Sequence, residues 1–122
     1  MFRRIHDYKK MNSDWQKALE IDPDNSDTYN NIAWNLATTP NPEVRDGKRA
    51  LALARKSCDL SDWKDSDAID TIAAAYAEVG DFKSAVEFEN KALALEESDQ
   101  AAEKRARLKL YEDHQPYRDT SN

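Results

Sequence analysis

Side chains that could bind a metal are few in this sequence and stand far apart. His6 and His114 lie at opposite ends of the chain, and neither has a metal-ligand spacing such as His-Glu-x-x-His. The segment Asp22–Asp27 begins like a calcium loop, but Asp27 stands where such a loop requires glycine. We therefore predict no metal site, and we expect Ser26 or Asp27 to cap a helix instead.

Nucleophilic and phosphate-binding devices are also weakly indicated. Cys58 is the single cysteine, so it forms no internal disulfide, and we predict a small buried residue near a helix end. Gly47 and Gly80 are the only glycines, too few for a glycine-rich phosphate loop. Carboxylate pairs such as Glu87 with Glu89 are predicted to lie on solvated helix faces. These observations predict a protein that is not an enzyme and uses no cofactor.

Composition and charge disfavour several further classes. The chain has 122 residues, one small domain in size, and its 18 bases and 24 acids give a formal net charge of −6. This balance disfavours nucleic acid, because duplex binding requires a basic stripe. No apolar run approaches the roughly 20 residues that span a bilayer, and the first residues lack the apolar core of a signal peptide. We expect no membrane association and a cytoplasmic location.

The acidic excess lies in one part of the chain. Residues 66–98 contain only Lys83 and Lys91 against eight acids, while bases and acids balance elsewhere. That segment is predicted to be the electronegative end of the molecule.

Helical spacing recurs along the chain. Residues 29–36 and 69–76 both place bulky side chains three and four positions apart, and in both the middle one is an isoleucine followed by an alanine. These pairs are Ile32-Ala33 and Ile72-Ala73. Gly80-Asp81-Phe82 predicts a sharp turn between two helices. Gly80 suits a left-handed helix C-terminus, and Asp81 can cap the next helix.

These motifs resemble the tetratricopeptide repeat, a helix–turn–helix unit of about 34 residues. The positions of residues 66–98 that carry the resemblance are Ile69, Ile72, Ala73, Tyr76, Gly80, Asp81, Phe82, Ala85, Ala92 and Leu95. A second copy departs from the pattern in its long, proline-containing loop, 38–47. The chain resembles one bacterial branch of these repeats. The resemblance implies an all-α fold, a right-handed superhelix of antiparallel helix pairs with a C-terminal capping helix.

The resemblance also implies a domain organisation. We expect a single domain over 1–122, with a partial repeat at 1–25, full repeats at 26–65 and 66–98, and a capping helix and tail at 99–122. About six helices are expected, the last from about Asp99 to Glu112 with its charges in solvent. Because the chain starts inside a repeat, one alternative is a regulatory fragment of a larger multidomain protein.

The function implied by the resemblance is protein–protein interaction through a concave groove. The residues of the predicted groove are Asp27, Asn30, Trp34, Thr38, Asp67, Asp70, Ala74 and Glu78. Trp34 either anchors a partner there or packs on the neighbouring helix. No lysine stands on this line, so an acidic peptide would meet like charge. The expected partner is therefore a protein or peptide segment that is apolar or basic.

Self-association is the alternative function. The partial repeat leaves the apolar stripe of its helix without part of its cover, which favours contact with another surface. The residues of this stripe are Phe2, Ile5, Tyr8, Met11 and Trp15. Their spacing also permits one continuous helix from about 2 to 20, which could pair in a homo-oligomer.

Overall fold

Helices make up all the regular structure of the described chain. The computed structural model describes residues 4–96 and 98–120, with side chains from residue 10 onward. Within these ranges there are six helices and no strand, namely α1 (Arg4–Ile21), α2 (Ser26–Thr38), α3 (Gly47–Leu60), α4 (Ser66–Glu78), α5 (Phe82–Leu95) and α6 (Ala101–Glu112). The all-α fold class is confirmed. None of these helices is both long and apolar enough to cross a membrane.

Asparagine and aspartate side chains begin the four central helices. Asn25, Asp46, Asp65 and Asp81 are the N-caps of α2 to α5, and each accepts a hydrogen bond from a first-turn N–H. The cap predicted at Ser26 or Asp27 is therefore wrong by one or two residues. Asn25 has the extended backbone that a cap needs, whereas the Ser26 hydroxyl lies 3.0 Å from the Ser57 carbonyl oxygen, to which it donates.

The turn between α4 and α5 has the predicted geometry. Gly80 adopts a φ of 89°, the left-handed conformation that favours glycine. The Asp81 N–H donates to the Tyr76 carbonyl oxygen at 2.9 Å, as in the common C-terminal helix motifs. Asp81 then caps α5 through the Ser84 N–H.

The helix pairs α2–α3 and α4–α5 repeat one another in size and linkage. The first helix of each pair has 13 residues and the second has 14. In each pair a serine at the start of the first helix donates to a carbonyl of the second, from Ser26 to Ser57 and from Ser66 to Ala92. Sequential helices from α1 to α6 contact one another, and α2 also packs directly on α4.

Small residues form much of the core and let the helix backbones approach closely. Ala33, Ala54 and Ala73 are fully buried, each on a different helix. Cys58 is buried beside Ala54, which confirms its prediction as a buried small residue. Trp63 packs on Phe88 with ring centroids 5.7 Å apart, at the junction of the two helix pairs.

The long loop and α1 both pack on the first helix pair, α2–α3. The loop covers 39–46, since Thr38 and Gly47 are helical, and it buries Val44 in the core. α1 is one continuous helix whose Met11 and Trp15 are half-buried against α2 and α3. The predicted self-association residues Phe2, Ile5 and Tyr8 lie outside the residues whose side chains are described.

Candidate functional site

α6 places two cations against two acids of α4. Arg107 Nε donates to Asp70 Oδ1 at 3.0 Å, and Arg107 Nη2 donates to Asp70 Oδ2 at 2.9 Å. One turn earlier, Lys104 Nζ donates to Asp67 Oδ1 at 2.9 Å. The pairs match because both bases and both acids stand three residues apart on a helix, so each pair shares a face.

The burial of these cations corrects the expectation that α6 keeps its charges in solvent. Lys104 is 1% exposed and Arg107 is also buried, although Arg105 and Lys109 are exposed as expected. The physical reason is that Asp70 is itself buried, and a buried carboxylate requires a paired cation. α6 supplies that cation.

Lys104 is held by a second acid from the end of α5. Its Nζ donates to Glu96 Oε1 at 2.7 Å. Burial opposes the charge on Lys104, but the hydrogen bonds to Glu96 and Asp67 raise its pKa above the ordinary value. The same bond from Lys104, with others from Ser98 and Ser66, lowers the pKa of Glu96 to about 2. Both groups are therefore charged at neutral pH.

Glu89 lies beside these ion pairs in the core, where the sequence predicts a solvent-facing residue. Its side chain is 0% exposed, so it does not lie on a solvated helix face. Burial, with the nearby carboxylate of Asp70, raises the pKa of Glu89 to about 10. The nearest cation in the described part of the chain is Arg107, whose Nε lies 3.9 Å from Glu89 Oε2. Glu89 is therefore a neutral acid in the core near pH 7.

Tyr111 is a further buried polar side chain near Glu89 and Asp70. Its ring is fully buried, and its Oη has no hydrogen-bond partner in the described structure. Burial, and after it the neighbouring acidic groups of Glu89 and Asp70, raise the pKa of Tyr111 well above its usual value. The phenol stays neutral and anchors α6 in the core formed with Ala73 and Ala85.

Trp34 packs on the end of the chain itself. We refer to residues 113–120, which follow α6, as the tail. The Trp34 and Tyr117 ring centroids are 5.6 Å apart, and Trp34 Nε1 donates to Asp119 Oδ2 at 2.8 Å. Arg107 Cζ lies 5.2 Å from the Trp34 ring centroid and 5.1 Å from that of Tyr117. Trp34 thus lies on a face of α2 that the tail and α6 cover in part.

The tail also contacts the two predicted groove residues that end α2 and α4. The Asp119 N–H donates to the Thr38 carbonyl oxygen at 2.8 Å. Arg118 Nη1 lies 2.8 Å from Glu78 Oε1, while Arg45 Nε from the long loop donates to Glu78 Oε2 at 3.1 Å. The C-terminal ends of α2 and α4 are therefore covered by the tail.

An open cavity of about 720 Å³ remains between α2, α4, α6 and the tail. The structure brings four predicted groove residues to its wall, Asn30, Trp34, Asp67 and Asp70. The other four lie elsewhere. Asp27 is exposed at the start of α2, Thr38 and Glu78 contact the tail, and Ala74 is 2% exposed in the core.

Sequence reasoning missed the α6 and tail residues that line this cavity. Lys104, Arg107, Tyr117 and Asp119 all stand on its wall. One signal was available, because the two bases on α6 repeat the spacing of the acids on α4, and the acidic excess of 66–98 needed counter-charge. No sequence signal indicated that Tyr117 and Asp119 would fold back onto α2.

Other chemistry has little support in the described residues. Within them, no three His, Cys, Asp or Glu side chains are arranged to hold a metal ion. Burial, with Asp59 and Asp65 nearby, raises the pKa of the Cys58 thiol to about 12, so it is a poor nucleophile.

No protein-family model matches the chain, and no curated protein matches it.

Proposed function

We propose that this chain is a tetratricopeptide-like helical module that binds a segment of another protein in the cavity between α2, α4 and α6. The observation that carries the proposal is the open cavity of about 720 Å³ with Trp34 on its wall. Tryptophan is enriched among the residues that dominate binding energy at interfaces. The matched lengths and serine links of the two helix pairs support the repeat assignment.

The accessible charge of this cavity is negative. Asp67, whose side chain is 59% exposed, and the exposed Glu103 stand on its wall. The cations Lys104 and Arg107 are buried and already paired. An approaching segment therefore meets carboxylates first, which favours a basic segment over an acidic one.

The cavity wall also offers an unused hydrogen-bond acceptor. Asn30 Oδ1 is buried and has no hydrogen-bond partner in the described structure. A buried acceptor without a partner costs free energy, and a donor from a bound segment removes that cost once the Asn30 side chain turns toward the cavity. Lysine and arginine side chains and backbone N–H groups are suitable donors.

Peptide binding tests the proposal. Fluorescein-labelled peptides of equal length, one basic, one apolar and one acidic, are titrated with the wild-type chain and followed by anisotropy. We expect the basic or apolar peptide to bind more tightly than the acidic one. Glu103→Lys reverses an exposed charge on the cavity wall, and we expect the basic peptide to bind about three- to tenfold more weakly.

Glu87→Lys is the matched control, because Glu87 is exposed on α5 and does not line the cavity. It makes the same change in net charge, so equal weakening by both variants would indicate a nonspecific charge effect. Preferred binding of the acidic peptide, or no binding of any peptide, contradicts the proposal.

We also propose self-association through α1 as a second function. Ile21 at the end of α1 is 83% exposed, whereas Met11 and Trp15 pack on the core formed by α2 and α3. A second copy could cover the exposed end of α1. Light scattering over a wide range of protein concentration tests it, since a monomer mass at the highest concentration contradicts the proposal.

A further inference from the structure

The tail makes side-chain and backbone contacts with α2 and α4, two of the helices that line the proposed binding cavity. Tyr117 contacts the Trp34 ring, Arg118 pairs with Glu78, and Asp119 accepts from Trp34 Nε1. Three successive residues of the tail therefore each have a specific partner on α2 or α4.

A backbone contact adds to these side-chain contacts. The Asp119 N–H donates at 2.8 Å to the carbonyl oxygen of Thr38, the last residue of α2. The last carbonyls of a helix have no partner within the helix, so they are available to an incoming chain. The tail thus satisfies a helix end in the manner of a bound extended peptide.

We propose that the tail is a self-ligand, and that a partner segment binds by displacing it. The segment that fits is extended and carries an aromatic residue, a base and an acid in that order, as in Tyr117-Arg118-Asp119. The aromatic residue packs on Trp34 with a tilted ring, the base pairs with Glu78, and the acid accepts from Trp34 Nε1. This inference rests on the proposed peptide-binding function. The tail forms one wall of the cavity, and a segment that displaces it takes the place of that wall against Trp34 and Glu78.

The tail is built so that it can detach without the helices. Residues 116–119 contain no helix or strand and their side chains are only partly buried. They follow the exposed residues Asp113–Gln115, which stay attached to α5 and α6, since the His114 ring stacks on Phe82 and the Gln115 N–H donates to the Leu110 carbonyl oxygen at 2.8 Å. Segments with few buried contacts open locally at lower free energy than the core.

A tail peptide added in trans is the probe. A fluorescein-labelled peptide of residues 113–122 competes in the wild-type chain with the attached tail, whose effective concentration is on the order of millimolar. The full-length double variant Tyr117→Ala/Asp119→Ala weakens the attached tail and leaves Trp34, Thr38 and Glu78 in place. We expect the double variant to bind this peptide at least about tenfold more tightly than the wild type does.

Two controls address the specificity of that binding. Gln115→Ala changes an exposed tail residue without altering these contacts, and we expect it to bind like the wild type. A peptide that carries the same two alanines should not bind the double variant. Binding of both peptides with equal affinity would overturn the inference.

A measurement on the unmodified chain guards against misfolding of the double variant. In the wild type, the Asp119 amide should exchange its hydrogen at least about a hundredfold faster than the Ile72 amide in α4, because it opens without global unfolding. Equal exchange rates, or loss of helical structure in the double variant, would show that the tail is an integral part of the fold and would overturn the inference.

The outcomes separate the two proposals. If the folded double variant ignores the tail peptide while the basic peptide still binds, the self-ligand inference fails and the binding function stands. If neither the wild type nor the double variant binds any of the peptides, both proposals fail.

Discussion

The guanidinium of Arg107 holds both carboxylate oxygens of Asp70, with N–O distances of 3.0 and 2.9 Å and both side chains buried. The same guanidinium lies over the rings of Trp34 and Tyr117. One side chain of α6 therefore joins α4, α2 and the tail. All four of these side chains stand on the wall of the proposed binding cavity.

Replacement of Arg107 tests how much the cap helix depends on its ion pair. Arg107→Met leaves Asp70 buried without its cation, and we expect the free energy of unfolding to fall by about 3–5 kcal/mol. Urea denaturation measures the change. Arg105→Met is the control, since Arg105 is exposed on the same helix, and it should stay within about 0.5 kcal/mol of the wild type. Equal losses in the free energy of unfolding for the two variants would mean that the buried Arg107–Asp70 pair stabilises the fold no more than an exposed arginine does.

The raised pKa of Glu89 predicts that the free energy of unfolding falls as the pH rises. Because burial raises its pKa from 4.5 to about 10, the folded state binds this proton more tightly than the unfolded chain does. The stabilisation is complete below the unfolded pKa and is lost as the pH rises toward the folded pKa. The slope for one such group approaches about 1.4 kcal/mol per pH unit between those values.

Glu89→Gln removes this titration and keeps a neutral side chain of similar shape. We expect the variant to gain stability relative to the wild type as the pH rises from about 5 to about 9. Urea denaturation at several pH values in this range measures the difference. A difference that does not change with pH would mean that Glu89 is ionised in the folded protein.

Gly80→Ala tests the left-handed turn between α4 and α5. A Cβ at Gly80 would meet no atom within 4 Å, so the cost is that of the backbone conformation alone. We expect a loss of about 1–2 kcal/mol in the free energy of unfolding. Gly47→Ala is the contrasting substitution, in which the added Cβ meets neighbouring atoms. It would lie 2.9 Å from side-chain carbons of Glu78 and Val79. A neutral Gly80→Ala would show that the turn changes its conformation.

Cys58 should be protected from thiol reagents in the native protein. Its side chain is 0% exposed and its pKa is raised to about 12, so little thiolate forms and little of it is accessible. We expect a colorimetric disulfide reagent to react slowly in buffer and completely in denaturant. Rapid reaction of the native chain would indicate that α3 opens readily near its C-terminal end.

Local signals along the chain predicted much of the fold. The helical spacing of 69–76 and the turn at Gly80 predicted two helices that meet at this turn, and α4 ends at Glu78 and α5 begins at Phe82, because the φ freedom of glycine and the capping side chain act over a few residues. The cap of α2 was misplaced, because Asn25, Ser26 and Asp27 are all good caps and the Ser26 hydroxyl donates to a carbonyl of α3 instead.

By itself, the sequence determined the all-α class, the helix pairs and the segment that carries the acidic excess. Those properties depend on the period of side chains and on their charges, which are readable one segment at a time. Only the tertiary structure decided which acids are buried and what covers Trp34. Asp70 and Arg107 are 37 residues apart, and Trp34 and Asp119 are 85 apart. Contacts at that separation depend on how α6 and the tail fold back over α2 and α4, and no local pattern encodes that path.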